Sequence, residues 1–159
     1  MSIFKDILTT LRQGTVVISP VFYTQVTGVP GIATAAAYAS GDAFGTMLTF
    51  DVPKQGTISN VVFLDYDDEG ISKDLVLFNG RFTHTADNAA MAISTGDLRK
   101  AIGVAFIDTW SDLTANRIGL AVPALSYNAP QGKLFAQLVT RGADNIAAGA
   151  IPDIFLMVV

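Results

Sequence analysis

His84 is the only histidine in a chain that has no cysteine, so nucleophilic or zinc-based chemistry would have to run through it. Asp87 stands three residues on, where a carboxylate can orient an imidazole, and Thr83 and Thr85 offer hydroxyls. The constellation goes no further. A hydroxyl nucleophile needs an exposed, activated position such as the strained turn of a Gly-x-Ser-x-Gly motif, and that motif does not occur. One imidazole without thiolates also falls short of the three or four N and S ligands of common zinc sites. The expectation is a loop histidine without a chemical role and a protein that is not an enzyme.

The run Asp65-Tyr66-Asp67-Asp68-Glu69-Gly70 has the alternating carboxylates and following glycine that open a calcium loop. The twelfth position, which requires a bidentate Glu, is Val76, and the flanking segments read as strands where an EF-hand has helices. A solvated hairpin turn between Val61 to Leu64 and Leu75 to Phe78 is the favoured reading, with an incidental cation left open. Gly28-Val29-Pro30-Gly31 lacks the Lys-Ser/Thr of a phosphate-binding loop, so no cofactor and no nucleotide are expected. Trp110 with Tyr23, Tyr38, Tyr66 and Tyr127 has the residue types of a sugar-binding platform, but aromatics scattered in this way are more often core or interface of a β-protein.

Composition narrows the class. Of 159 residues 50% are hydrophobic and only 15% charged, with Lys+Arg 10 against Asp+Glu 14 and a net charge of -4. A typical domain of this size carries about 25% charged residues. The scattered basic residues form no stripe that would neutralise phosphates, so no nucleic-acid partner is expected. The apolar runs, such as Ile154 to Val159, are far shorter than the roughly 20 residues of a membrane-spanning helix. The start of the chain lacks the pattern of a signal peptide, because Lys5 and Asp6 break its apolar residues. One domain of this length buries about 70% of its extended-chain surface, enough for a core without disulfides or metal.

The elements follow from periodicity. Ile3, Phe4, Ile7, Leu8 and Leu11 recur at spacings of three and four between Ser2 and Gly14, which predicts a short amphipathic helix as an arm over residues 1–14. Such a helix is marginal alone and must dock, on its own domain or on another subunit, so these five residues are the candidate partner-docking set. Residues 15–159 read as a single β-domain. Thr15 to Thr27 predicts an edge strand interrupted at Pro20, and Phe44 to Val52 alternates Met47, Thr49 and Asp51 with Leu48, Phe50 and Val52. Further strands are predicted over Thr57 to Asp65, Lys73 to Phe78, Ala101 to Asp108, Ile118 to Ala124, Lys133 to Thr140 and Asp153 to Val159, with one helical turn over Ser94 to Lys100. Short strands without room for helical crossovers predict a mainly β fold, an antiparallel sandwich or barrel of jelly-roll type.

Asp74-Leu75-Val76-Leu77-Phe78-Asn79, Thr85-Ala86-Asp87-Asn88-Ala89-Ala90, Asp97-Leu98 and Ile102-Gly103-Val104 together resemble a family of small tailed-phage virion proteins, the head decoration or cement proteins. Tyr38-Ala39-Ser40-Gly41-Asp42-Ala43-Phe44-Gly45 and Leu138-Val139-Thr140-Arg141-Gly142 extend the resemblance over Tyr38 to Val159. The resemblance implies a β-domain on the outer surface of the phage head, assembled in the host cytoplasm, usually as a homotrimer. Its partner would be the major capsid protein, whose capsomer contacts it stabilises, with no catalytic residues and no cofactor. The helical arm departs from the family pattern by preceding the usual first strand. The competing expectation is a phage tail or fibre component that binds a host-surface glycan through Trp110 and the tyrosines.

Overall fold

Leu48 and Phe50 are fully buried while Thr49 and Asp51 face solvent, the period-two pattern that pins a strand to one side of a core. The computed structural model describes residues 21–159; the predicted arm with Ile3, Phe4, Ile7, Leu8 and Leu11, and the start of the predicted first strand, lie outside the described residues. The described elements are β1 (Phe22–Val26), β2 (Ala43–Asp51), β3 (Gln55–Asp65), β4 (Lys73–Phe78), α1 (Thr95–Leu98), β5 (Ala101–Ile107), β6 (Thr109–Asp112), β7 (Arg117–Ala121), β8 (Leu125–Asn128), β9 (Lys133–Thr140) and β10 (Asp153–Val158).

All strand pairs are antiparallel and form two sheets. The first runs β1-β10-β3-β7-β6, with β8 also paired to β3, and the second runs β2-β9-β4-β5. β3 is long enough to hold β8 along Gln55 to Ile58 and β7 along Val61 to Asp65 on one side, with β10 on the other. β1 to β4 alternate between the sheets, β8 to β10 do so again, and the final strand lies between the first and third, which is the order of a jelly roll. No hydrogen bonds join the edges of one sheet to those of the other, so the predicted sandwich is formed and the barrel alternative is not.

Leu75, Leu77, Leu134, Leu138, Ile154 and Leu156 meet between the sheets, threaded by a line of aromatics from Tyr38 through Phe44 and Phe63 to Trp110 at centroid spacings of 5.1, 6.3 and 5.9 Å. A second apolar cluster, Phe78, Phe82 and Phe135 with Met47, Val76 and Ile93, lies on the outer side of the second sheet. The connection 79–94 covers it. Ser94 caps α1 by accepting from the Asp97 amide.

Three expectations change. The acidic run does not close a hairpin: β3 and β4 belong to different sheets, so residues 66–72 carry the chain across the sandwich. The predicted strand from Ile118 to Ala124 ends at Ala121, because Pro123 has no amide to donate and Ala124 adopts φ 49°. β6 and β8 were not anticipated, since β6 follows β5 after the single corner residue Asp108 and β8 has only four residues. Opposite Trp110 on β6 stands Gly119, where an added Cβ would lie 2.7 Å from Ile107 Cγ2 and 2.9 Å from Trp110 Cζ3. Gly119→Ala is expected to cost about 1–3 kcal/mol of stability, measured by urea unfolding, because neither contact is with a flexible chain end.

Candidate functional site

Asp87 is fully engaged, and not with His84. Its Oδ1 accepts from the Gly45 amide at 2.6 Å, its Oδ2 accepts from the Ala33 amide at 2.9 Å, and the Tyr38 hydroxyl donates to it at 2.9 Å. Burial, with Asp87 beside it, pushes the Tyr38 hydroxyl well above its ordinary range, so it stays a donor. His84 is exposed, and no hydrogen bond joins it to Asp87. The pair read as an orienting carboxylate and its imidazole is therefore a structural anchor next to a surface side chain. Thr85 is likewise occupied, its hydroxyl bridging the Ala92 carbonyl and amide.

The carboxylates of the acidic run are also spent on the fold. Asp65, only 4% exposed, accepts from the Asp67 and Gly70 amides and so shapes the turn that was expected to be solvated. Asp68 pairs with Arg117 at 2.8 Å. Asp67 accepts from the Ala147 amide and Glu69 from the Asn145 amide, which latches the crossover to the connection between β9 and β10. Burial raises the Glu69 carboxyl above its ordinary value, partly offset by that amide. Among the described residues no group of three or more His, Cys, Asp or Glu is placed to hold a metal ion.

The aromatics do not assemble into a platform. Tyr38 and Tyr127 are buried, Trp110 turns its ring edge-on to Phe63, and the Trp110 Nε1 and Tyr127 hydroxyl are buried without hydrogen-bond partners. Tyr66 donates to Asp153 at 2.9 Å at one rim, while Tyr23 packs on Phe155 at 5.9 Å on β1. An open trough of about 410 Å³ beside α1 is lined by Val76, Met91, Ile93, Leu98 and Val104, with Arg141 at its end. The Arg141 guanidinium is committed to Asp74 at 2.8 Å.

Among the described residues no element covers the outer face of the first sheet. On the outer side of the first sheet, register places Phe155 between Gln25 and Val62, Val62 opposite Leu120, and Met157 between Tyr23 and Asn60. Leu64 and Ile118 form the next row and end on Ser111. Tyr23 is 55% exposed, Val122 68% and Leu120 37%. Across these rows the one charged residue is Asp153, which pairs with Leu64 in register, is 9% exposed and accepts from the Gly28 amide and the Tyr66 hydroxyl. The sequence carried a signal for this face in Ile154 to Val158 and Val61 to Leu64, which are apolar without alternation, as strands covered on both sides are. No family model, curated protein or solved structure matches the chain.

Asp87→Ala would strand the buried Gly45 amide and Tyr38 hydroxyl, at about 1–3 kcal/mol for each, while the exposed Ala33 amide can turn to water. A loss of at least about 2 kcal/mol is expected in urea unfolding, whereas His84→Ala should stay within about 0.5 kcal/mol of the parent protein.

Proposed function

We propose that the protein is a structural virion component, a decoration or cement protein that binds the outer surface of a tailed-phage head and reinforces contacts between capsomers. The observation that carries this reading is the apolar outer face of the first sheet. A contiguous apolar face on a sheet marks an interaction surface, and the one carboxylate in these rows, Asp153, is already buried against the Gly28 amide and the Tyr66 hydroxyl. Such a protein works by burying area and needs neither a pocket nor an activated side chain. The dispersal of His84 and Asp87 into unrelated roles and the internal use of the acidic run accord with that. So does the resemblance of Tyr38 to Val159 to phage decoration proteins, although the jelly roll itself hosts both capsid and lectin domains and does not decide between them.

A trimer would present three such faces to symmetry-related shell sites, so modest individual contacts would sum to slow release. The arm residues Ile3, Phe4, Ile7, Leu8 and Leu11 would add a second apolar contact to the major capsid protein or to a neighbouring subunit. The test is saturable binding of purified protein to undecorated heads, read as occupancy and as heat stability of the heads. Leu120→Asp and Val122→Asp lie on the exposed face and should leave the fold intact while lowering affinity at least about tenfold, or 1.4 kcal/mol. Phe4→Ala with Leu8→Ala should weaken binding in the same assay. Label concentrated at the tail, or no saturable head binding, overturns the reading in favour of a tail or fibre component.

A further inference from the structure

Lys73, the first residue of β4, is 2% exposed, and its ammonium lies inside the sandwich. Nζ stands 2.8 Å from Asp144 Oδ1 and 2.7 Å from the Ile71 carbonyl oxygen, above the rings of Phe44 at 4.8 Å and Phe63 at 5.6 Å. Asp144 is 1% exposed, and its other oxygen, Oδ2, accepts from the buried Thr140 hydroxyl. An amine and a carboxyl group are thus held in contact, out of water, against aromatic walls and in one orientation. That is the arrangement in which an intramolecular reaction gains most from proximity.

We propose that Lys73 and Asp144 condense within the folded chain to an amide, an isopeptide bond that staples the start of β4 to the connection between β9 and β10. The chemistry needs no cofactor and no oxidant. Within the contact, the ammonium passes a proton to Oδ1, giving a neutral amine and a carboxylic acid, the form that an apolar surrounding favours. Burial lowers the Lys73 amine below its ordinary value, against the pull of Asp144. The Nζ lone pair attacks Cγ and a C–N bond forms, while Thr140 holds Oδ2, the oxygen that becomes the amide carbonyl. The nitrogen then gives up one proton, Oδ1 takes one, and the C–Oδ1 bond breaks to release water. Atoms balance as amine plus acid to amide plus water, with no change of oxidation state.

A proton carrier for the last transfer is at hand. Glu69 bonds the amide of Asn145, next to Asp144, and its charge bears on both Lys73 and Asp144. Burial raises its carboxyl, which suits a group that takes a proton and returns it. The product also removes two buried charges from a region where Asp65 and Glu69 already act on Lys73. Joined residues 71 apart in sequence constrain the unfolded chain as a disulfide would, in a protein that has no cysteine. The inference stands apart from the head-binding reading, because it concerns only the interior of the domain.

The experiment is the intact mass of the full-length protein, followed by proteolysis and tandem mass spectrometry. The wild type is expected one water lighter than its sequence mass, with the Lys73 and Asp144 peptides joined. Lys73→Arg keeps the charge but offers no nucleophilic amine, and should return the full mass. Asp144→Asn should form the same bond by releasing ammonia, and Glu69→Gln should slow bond formation at least tenfold in freshly refolded protein. Wild-type protein at its full sequence mass overturns the proposal, as does a missing water mapped elsewhere with Lys73 unlinked.

Discussion

Gln137 lies in the middle of β9, fully buried on the outer side of the second sheet, where a strand of a two-layer sandwich would ordinarily meet water. Its amide nitrogen donates to the Gly45 and Thr85 carbonyls at 3.0 and 2.7 Å, and its oxygen accepts from the Thr85 amide at 3.0 Å. A buried amide stripped of such partners would cost about 1–3 kcal/mol, so these bonds require the 79–94 connection to stay laid across the sheet. With that strap in place Phe82 stacks on Phe78 at 4.0 Å and the outer cluster becomes a second small core. The strap in turn carries Asp87, whose bonds to Gly45 and Ala33 fix the entry to β2 and the turn before it. The strap thus covers the second sheet around Phe78, Phe135 and Gln137, while Phe106 on β5 stays exposed.

The first sheet has no counterpart to that strap among the described residues. Its strands β3 and β10 are as apolar on the outer side as on the inner, yet Tyr23, Leu120 and Val122 remain exposed there. A partner arriving on the outer side of the second sheet meets the strap, an engaged Arg141 and the exposed Phe106 of β5, whereas one arriving on the first meets the adjoining rows of Phe155, Val62 and Leu120. Low charge has a corresponding structural origin. Several carboxylates sit on backbone amides or opposite a basic side chain, which takes them out of the surface field.

The sandwich was readable because its central strands obey simple rules. Lys73 to Phe78 and Lys133 to Thr140 are bounded by turn residues and occupy the predicted spans residue for residue. Register across sheets was not readable, since the strand that follows Asp65 is set by long-range pairing and not by the local turn, and the acidic run looked like a hairpin for that reason. The strand break at Asp108 was hidden because one corner residue carries no turn signature. At the candidate face, individual residues such as Phe155 and Val62 read as core, and only pairing shows that they share one uncovered side. The roles of Asp87 and Asp144 were equally invisible, because each depends on donors from residues more than 40 or 70 positions away, or on a partner brought near only by the fold.

The Asp-Asn-Ala-Ala segment from Asp87 to Ala90 takes on a definite meaning in this light. Asn88 adopts φ 56°, a left-handed conformation that asparagine tolerates better than most side chains. Its amide donates to the Ala43 carbonyl, while the Ala43 amide donates to the Ala89 carbonyl. Asp87, an acceptor at both oxygens, gathers three donors that nothing else nearby is placed to satisfy. The Asp-Asn-Ala-Ala segment is thus the clasp that fastens the strap to β2, and its residue types follow from that duty alone.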